Sequence, residues 1–133
     1  MPDSLNNIKL GIKYEFSNTQ RRYTSPGALA GFIAVLAETK FKLTTTGSCF
    51  SEGSSFPSQE HCNGRSVDIL YIRDVIKDQL VIDSATNFHF TEILKGINDY
   101  CDKLKNAGNG GTLHDSHLHM GNFDNNIIKE IKE

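Results

Sequence analysis

An aspartate in the middle of an apolar stretch places the strongest constraint on how this chain can fold. In "RSVDILYI" (residues 65–72), apolar residues at positions 67, 69 and 71 alternate with Asp68 and Leu70. Period-two alternation is typical of a strand with one buried face. A carboxylate within such a strand is costly to bury unless it is paired or bound to a metal ion. The fold must therefore bring a partner to Asp68.

Three histidines crowded into one segment are the first candidates for that partner. Of the five histidines in the chain, His114, His117 and His119 stand within "HDSHLH". Because residues i and i+2 of a strand point to the same face, we expect His117 and His119 to lie side by side, about 7 Å apart. His114 has the other parity and would approach from the rim. Neutral imidazoles grouped in this way form a donor set that suits a transition metal.

A second cluster lies upstream in "HCNGRSVD", where His61 precedes Asp68 by seven residues and a glycine between them lets the chain turn. Together the two segments can supply His, Asp and His, and an open metal site has three protein ligands and leaves a fourth position to water. Two other interpretations stand beside this one. The later histidines could form a surface cluster that binds metal adventitiously, and His61 and Asp68 could be ordinary loop and strand residues. His89, just before a predicted helix, is interpreted as structural.

Three segments have the sequence pattern of strands. "NIKLGIKYEF" (7–16) alternates apolar and polar residues, "FKLTTTGSCF" (41–50) is rich in β-branched residues, and residues 65–72 alternate as described above. Between the last two, residues 51–64 contain the glycine, proline and serine signals of a loop.

The helices are predicted from capping residues and from apolar spacing. In "SPGALAGFIAVLAE" (25–38), Ser25 and the proline after it suit the N-cap and the first helical position. Apolar residues at 90, 93, 94, 97, 101 and 104 predict a second helix over 90–104, which Gly108 is placed to end. Residues 73–87 fit either a strand pair or a short helix. We therefore expect an α+β domain with two main helices and a small antiparallel sheet that carries the metal site.

Composition and charge narrow the possible partners. The formal net charge of -2 gives no support for a nucleic-acid or an anionic-membrane partner. No apolar run approaches the about 20 residues that span a bilayer, and "MPDSLNNIKLGIKYEF" lacks the basic start and apolar stretch of a signal peptide. We therefore expect one soluble domain over residues 1–133, which is delivered by another route or stands here without its leader.

The three cysteines leave two possibilities open. Cys49 and Cys62 enclose a short loop rich in serine and glycine, and Cys101 falls on the predicted second helix. In an oxidising compartment Cys49 and Cys62 would form a disulfide, and otherwise all three are ordinary thiols.

The two histidine motifs together resemble those of a known family. "HCNGRSVD" resembles the S-x-H-x-x-G-x-x-x-D signature of the LAS zinc metallopeptidases, named for lysostaphin, the D-Ala-D-Ala peptidases and sonic hedgehog. "HDSHLH" is similar to the H-x-x-H-x-H pattern of the penicillin-insensitive murein endopeptidase branch. The order of elements in that family also agrees, since a helix and a strand precede the H-x6-D strand, and another helix precedes the H-x-H strand.

The resemblance implies a zinc ion and a role for each residue of the two motifs. His61, Asp68 and His119 would be the zinc ligands. His117 would be either the base or a residue just outside the ligands, next to the water that the zinc activates. His114 would orient that water or stabilise the tetrahedral intermediate.

The resemblance also implies a substrate. The usual substrate of the family is the peptidoglycan stem peptide, so we expect a zinc-dependent peptidase that acts in the periplasm or cell wall and cleaves D-Ala–meso-diaminopimelate. The alternatives are an L-Ala–D-Glu endopeptidase and a D-Ala-D-Ala carboxypeptidase. A short chain of this kind suits a phage lysin or a secreted antibacterial effector toxin, and a toxin would have an immunity protein as its partner. A different class is a catalytically silent zinc-binding interaction domain, as hedgehog illustrates.

Overall fold

A mixed sheet with two helices forms the framework of the protein. The computed structural model describes residues 1–55 and 61–127, and within them the sheet has seven strands. The strands are β1 (Ser4–Asn7), β2 (Ile12–Phe16), β3 (Lys42–Gly47), β4 (Val67–Leu70), β5 (Phe90–Lys95), β6 (Gly108–Asn109) and β7 (His117–Phe123). The helices are α1 (Pro26–Thr39) and α2 (Val75–Asn87). The predicted α+β class is therefore confirmed.

The strands lie in the spatial order β1-β2-β3-β4-β7-β5-β6. Four of the neighbouring pairs are antiparallel, whereas β2 with β3 and β5 with β6 are parallel. The sheet is thus mixed, where we predicted an antiparallel one. The reason for the first parallel pair is that α1 crosses over between β2 and β3, and such a crossover returns the chain in the same direction.

The first helix begins where its sequence predicts. The hydroxyl of Ser25 accepts a hydrogen bond from the Ala28 amide, and Pro26 occupies the first helical position, where no amide donor is needed. The helix ends at Lys40, whose φ of 61° lies in the left-handed region. The start of α1 can therefore be predicted from its capping residues.

The ambiguous stretch 73–87 forms the second helix. Asp74 caps α2, because its carboxylate accepts from the amides of Ile76 and Lys77, both at 3.1 Å. A buried residue of the first turn, Asp78, accepts from the amides of Ile72 and Arg73 just before the helix. Over residues 1–55 and 61–127, no helix combines the length and the apolar character needed to cross a membrane.

The helix predicted over 90–104 is wrong. Residues Phe90–Lys95 form β5, which pairs with β7, and a short 3-10 turn over Cys101–Lys103 follows. Ile97, which the helical spacing required to be buried, is 45% exposed. The pairing with β7 is a long-range interaction, and it overrides the local spacing of apolar residues.

The first predicted strand is also shorter than the pattern implied. Its second half forms β2, but Ile8 and Leu10 lie in a turn and are 83% and 55% exposed. Gly11 allows this turn because its φ is +69°. The chain thus folds back on itself at residues 8–11, and β1 precedes the turn.

The apolar core lies on one side of the central strands, and the polar site lies on the other. Both helices pack against each other and against the sheet. Val67 and Ile69 of β4 and Leu118 and Met120 of β7 belong to the core cluster. Since side chains alternate along a strand, the residues between them point to the opposite face. Those residues include Asp68.

Candidate metal centre

The site is built on the two central strands. Asp68 on β4 is the register partner of His119 on β7, and Leu70 is the partner of His117. His119 Nδ1 donates a hydrogen bond of 2.8 Å to Asp68 Oδ1, and both residues are buried. The strand pairing therefore fixes the relative positions of this carboxylate and imidazole.

The third member of the group comes from the loop before β4. His61 Nε2 lies 3.0 Å from Asp68 Oδ2, and His61 is buried as well. A short turn holds this histidine, since the Gly64 amide donates to the His61 carbonyl at 3.0 Å. The Gly64 carbonyl in turn accepts from the Ser25 amide and the Thr24 hydroxyl, so the turn is attached to the start of α1.

Only glycine fits at position 64 of this turn. Its φ is +67°, and an added Cβ would lie 2.7 Å from backbone atoms of Thr24 and Ser25. This is the glycine of the H-x6-D motif. The requirement for glycine there is consequently steric as well as conformational.

The three residues form a group that could hold a metal ion. The ligand atoms of His61, Asp68 and His119 all lie within 4.8 Å of one another, and all three residues are buried. The two ring nitrogens that face the carboxylate are His61 Nε2 and His119 Nδ1. Two imidazoles and one carboxylate suit zinc and other divalent transition metals.

The electrostatics of the group favour an ionised carboxylate. Burial alone raises the pKa of Asp68, but the hydrogen bonds and charges of His119 and His61 lower it further than burial raises it. The net effect holds the pKa of Asp68 well below its usual range. A buried negative charge of this kind is available to a cation without the loss of a proton from the carboxyl group.

His117 lies next to the group at its more exposed side. Its Nε2 is 3.7 Å from Asp68 Oδ2, and its side chain is 16% exposed. Burial lowers the pKa of His117, and although Asp68 raises it, the neighbouring His114 lowers it again. The neutral form of the ring is therefore favoured, as a proton acceptor requires.

His114 lies in a short 3-10 turn, Thr112–Asp115, that precedes β7. Its ring centroid is 4.9 Å from that of His117 and 5.7 Å from that of His119. Its Nδ1 donates to the Gly110 carbonyl at 2.7 Å, which fixes the ring. The position at the rim of the cluster agrees with the parity argument from the sequence.

The turn that carries His114 is anchored by residues outside the two motifs. The Tyr71 hydroxyl donates to the His114 carbonyl at 3.0 Å and accepts from the Gly96 amide at 3.2 Å. Burial raises the pKa of Tyr71, so its hydroxyl keeps the proton that it donates. The carboxylate of Asp115 accepts from the amides of Ile97 and Asn98 at 2.7 and 3.1 Å.

Two glycines leave space for the site histidines. A Cβ on Gly121 would lie 2.3 Å from His119 Nε2 and 3.0 Å from the Glu92 carbonyl oxygen. A Cβ on Gly110 would lie 2.4 Å from His114 Nδ1. Such contacts are closer than carbon and nitrogen tolerate, so both rings depend on a missing side chain.

The structure thus brings together all five residues that the sequence predicts for the site, namely His61, Asp68, His114, His117 and His119. His89 lies apart, between α2 and β5, where its carbonyl accepts from the Asp124 amide. Cys49, Cys62 and Cys101 are free thiols in the structure.

Sequence reasoning missed the residues that position the histidines. The sequence pattern predicts Tyr71 only as an apolar strand residue, and it predicts no role in the site for Arg73, Gly110 or Gly121. A glycine two residues after His119 and another four residues before His114 were visible in the sequence. Their meaning depends on ring positions that only the folded chain defines.

Comparisons of the chain with protein-family models, with curated proteins and with solved structures find no match. The chemistry of the site is therefore inferred from its geometry and from the motifs that form it.

Proposed function

We propose that the protein is a zinc-dependent peptidase that cleaves peptidoglycan stem peptides. The observation that carries this proposal is the pairing of a buried His61–Asp68–His119 group with His117, a half-buried imidazole beside it. A site that only binds metal for structural purposes has no need of a further histidine with a lowered pKa at its open side.

The residues present fit a zinc ion. His61 Nε2, His119 Nδ1 and one oxygen of Asp68 converge, and their number leaves a coordination position for water or substrate. A bound zinc ion supplies a nucleophilic water at neutral pH and polarises the scissile carbonyl. Without a cation, the ionised Asp68 is buried against two imidazoles that must both donate to it.

His117 is the proposed base. Its Nε2 is the ring atom that faces Asp68, so this nitrogen lies next to the group that would hold the zinc ion and its water. In the neutral form it takes a proton from that water and afterwards gives it to the leaving amine. The lowered pKa of His117 keeps this nitrogen free to accept at neutral pH.

His114 is proposed to orient the water. Because its Nδ1–H is donated to the Gly110 carbonyl, the Nε2 of a neutral ring carries the lone pair. An accepting nitrogen can hold one hydrogen of a water molecule, whereas it cannot donate to an oxyanion. Of the two roles that the resemblance implies, orientation of the water is thus the one that this tautomer supports.

The choice of substrate rests on the resemblance of the motifs. "HDSHLH" is similar to the pattern of the murein endopeptidase branch, so we propose D-Ala–meso-diaminopimelate as the bond. An L-Ala–D-Glu endopeptidase, a D-Ala-D-Ala carboxypeptidase and a silent zinc-binding domain are the other outcomes of the test. A peptidase of this kind would act in the periplasm or cell wall, as a phage lysin or as an effector toxin with an immunity protein.

The experiment is digestion of purified muropeptides, crosslinked and uncrosslinked, followed by mass spectrometry. The zinc-loaded chain is compared with a chelated sample and with His117→Ala. We expect a new product only with zinc and an intact His117, and the mass of that product identifies the bond.

A product that persists in the chelated sample would contradict the role of the metal. If the zinc-loaded chain releases no product from either kind of muropeptide, the silent zinc-binding domain replaces the peptidase as the proposed function. The exposed His89→Ala variant serves as the matched control, because that histidine lies outside the cluster.

A further inference from the structure

We propose that Arg73 is the residue that binds a carboxylate of the peptide substrate. This inference rests on the proposed function, because it assigns the side chain that selects the substrate of that same site. Arg73 follows β4 after two intervening residues and donates through Nη2 to the Asp115 carbonyl at 3.1 Å. Asp115 is the residue directly after His114, so the guanidinium lies beside the turn that carries this histidine.

The backbone at Arg73 adopts a conformation that costs free energy. Its φ is +68°, in the left-handed region that residues other than glycine avoid. The conformation is held by Asp78, whose buried carboxylate accepts from the amides of Ile72 and Arg73 at 2.9 and 3.1 Å. The hydroxyl of Tyr100 donates to the same carboxylate. These contacts hold the backbone at Arg73 in one conformation, which fixes the point from which its side chain leaves the chain.

The side chain of Arg73 is exposed and yet held in one direction. Its guanidinium carbon lies 5.4 Å from the ring centroid of Tyr71 and 5.0 Å from that of Tyr100. The two rings are 5.6 Å apart in an edge-to-face arrangement, and Tyr71 also contacts the His114 carbonyl. Stacking of this kind orients a guanidinium and leaves its edge accessible.

The guanidinium has no carboxylate partner within the described part of the chain, although Asp74 and Asp78 are close in sequence and Asp115 is close in space. Each of those acidic residues is engaged with backbone amides. Asp74 accepts from Ile76 and Lys77, Asp78 from Ile72 and Arg73, and Asp115 from Ile97 and Asn98. The donors of Arg73 that do not contact Asp115 are therefore available to a ligand.

The chemistry of the guanidinium identifies the ligand class. Its planar fork of N–H donors matches both oxygens of a carboxylate, and such charge-assisted pairs are stronger than neutral hydrogen bonds. Peptidoglycan stem peptides carry carboxylates on D-Glu, on diaminopimelate and at the C-terminus. A peptide with a free carboxylate close to the bond that is cleaved is thus the substrate class that this position favours.

The test compares a stem peptide with forms in which single carboxylates are converted to amides. Binding to the full zinc-loaded chain is measured by calorimetry in the His117→Ala background, where turnover is slow compared with the measurement, and cleavage is measured separately with His117 present. We expect one amidated form to bind about tenfold or more weakly than the parent peptide. With Arg73→Gln the parent and that amidated form should bind equally, and Arg73→Lys should restore part of the difference.

A control separates recognition from support of the fold. Arg65→Gln removes another exposed arginine and should keep the preference for the carboxylate. If Arg73 only stabilises the turn that carries His114, Arg73→Gln weakens the binding of all peptides by the same factor, and this result overturns the inference. Equal binding of parent and amidated peptides by the chain with Arg73, or no binding of either at millimolar concentration, overturns it as well. An Arg73-dependent preference without any cleavage refutes the peptidase and leaves the inference standing.

Discussion

Asp68 and His119 stand directly opposite each other on the two central strands, and their side chains meet at 2.8 Å on the face away from the apolar core. The strand register that buries Val67 and Met120 in the core is therefore the register that assembles this pair. A shift by one residue would separate the pair and expose the apolar side chains at the same time. The pairing of β4 with β7 thus positions core residues and two members of the His61–Asp68–His119 group at the same time.

Replacement of His119 and of His117 should have different effects on metal binding. We expect His119→Ala to lower zinc affinity by at least about 100-fold, because it removes a ligand atom from a three-residue group. His117→Ala should change zinc affinity by less than about tenfold and lower the cleavage rate by about 10²- to 10⁴-fold. Competition with a chromophoric chelator measures the first quantity, and muropeptide digestion measures the second. Loss of zinc from both variants would show that His117 is itself a ligand.

Gly121→Ala should displace the His119 ring. The new methyl group would lie 2.3 Å from His119 Nε2 and against the Glu92 carbonyl, where the backbone cannot move away. We expect a loss of about 1 to 3 kcal/mol in the free energy of unfolding, together with weaker zinc binding. Urea denaturation and chelator competition provide the two measurements. The matched control is Gly108→Ala, whose Cβ would lie 3.1 Å from the end of the Leu94 side chain and at an ordinary contact distance of 3.6 Å from the Ile93 carbonyl oxygen.

Tyr71→Phe should weaken the fold and the catalytic step without removing the metal. The change leaves the His114 carbonyl and the Gly96 amide without their shared hydroxyl partner. Each buried polar group that loses its partner costs about 1 to 3 kcal/mol, so thermal unfolding should occur several degrees lower. Zinc affinity should stay within a few-fold, since Tyr71 contacts no ligand residue. Tyr23→Phe, at a residue that is 54% exposed, should leave the unfolding temperature, the zinc affinity and the rate of muropeptide cleavage unchanged.

The metal-free protein should lose stability as the pH is lowered. Burial and the neighbouring His114 lower the pKa of His117, so the folded state binds its proton less readily than the unfolded state does. The stability due to the neutral ring is fully present above the ordinary histidine pKa of about 6.5 and is lost as the pH falls through the lower folded value. The lowered pKa of Asp68 also makes the folded state less stable as the pH falls, but at more acidic pH.

Urea denaturation between about pH 7.5 and pH 5.5 measures this dependence. His117→Gln should show a smaller decline in the free energy of unfolding over that interval, because it removes the titrating ring. An equal decline in the two proteins would mean that the pKa of His117 is not lowered in the folded state.

The parts of the structure that could be predicted from the sequence depend on local physics. Ser25 and Pro26 define the start of α1 through hydrogen bonding and backbone geometry within one turn. The candidate metal site could be predicted because Asp68 interrupts an apolar strand and because alternation places His117 and His119 on one face. In both cases the evidence lies within a few neighbouring residues.

The parts that could not be predicted depend on contacts distant in sequence. The apolar spacing over 90–104 fits a helix, yet its first residues pair with β7 about 30 residues later, and that pairing decides their structure. The hydrogen bond from Tyr71 to His114 and the strained turn at Arg73 likewise join segments that only the tertiary fold brings together. A single sequence has no local signal for such contacts.

The two-sided hydrogen bonding of Asp68 determines which tautomers the metal-free histidines adopt. An ionised carboxylate only accepts, so a neutral His61 must carry its hydrogen on Nε2 and a neutral His119 must carry it on Nδ1. A metal needs the lone pairs of those same two nitrogens. An ion held through those two nitrogens would leave each hydrogen on the far nitrogen of its ring, so the far nitrogen of each imidazole should change from an unprotonated to a protonated chemical shift when the ion binds.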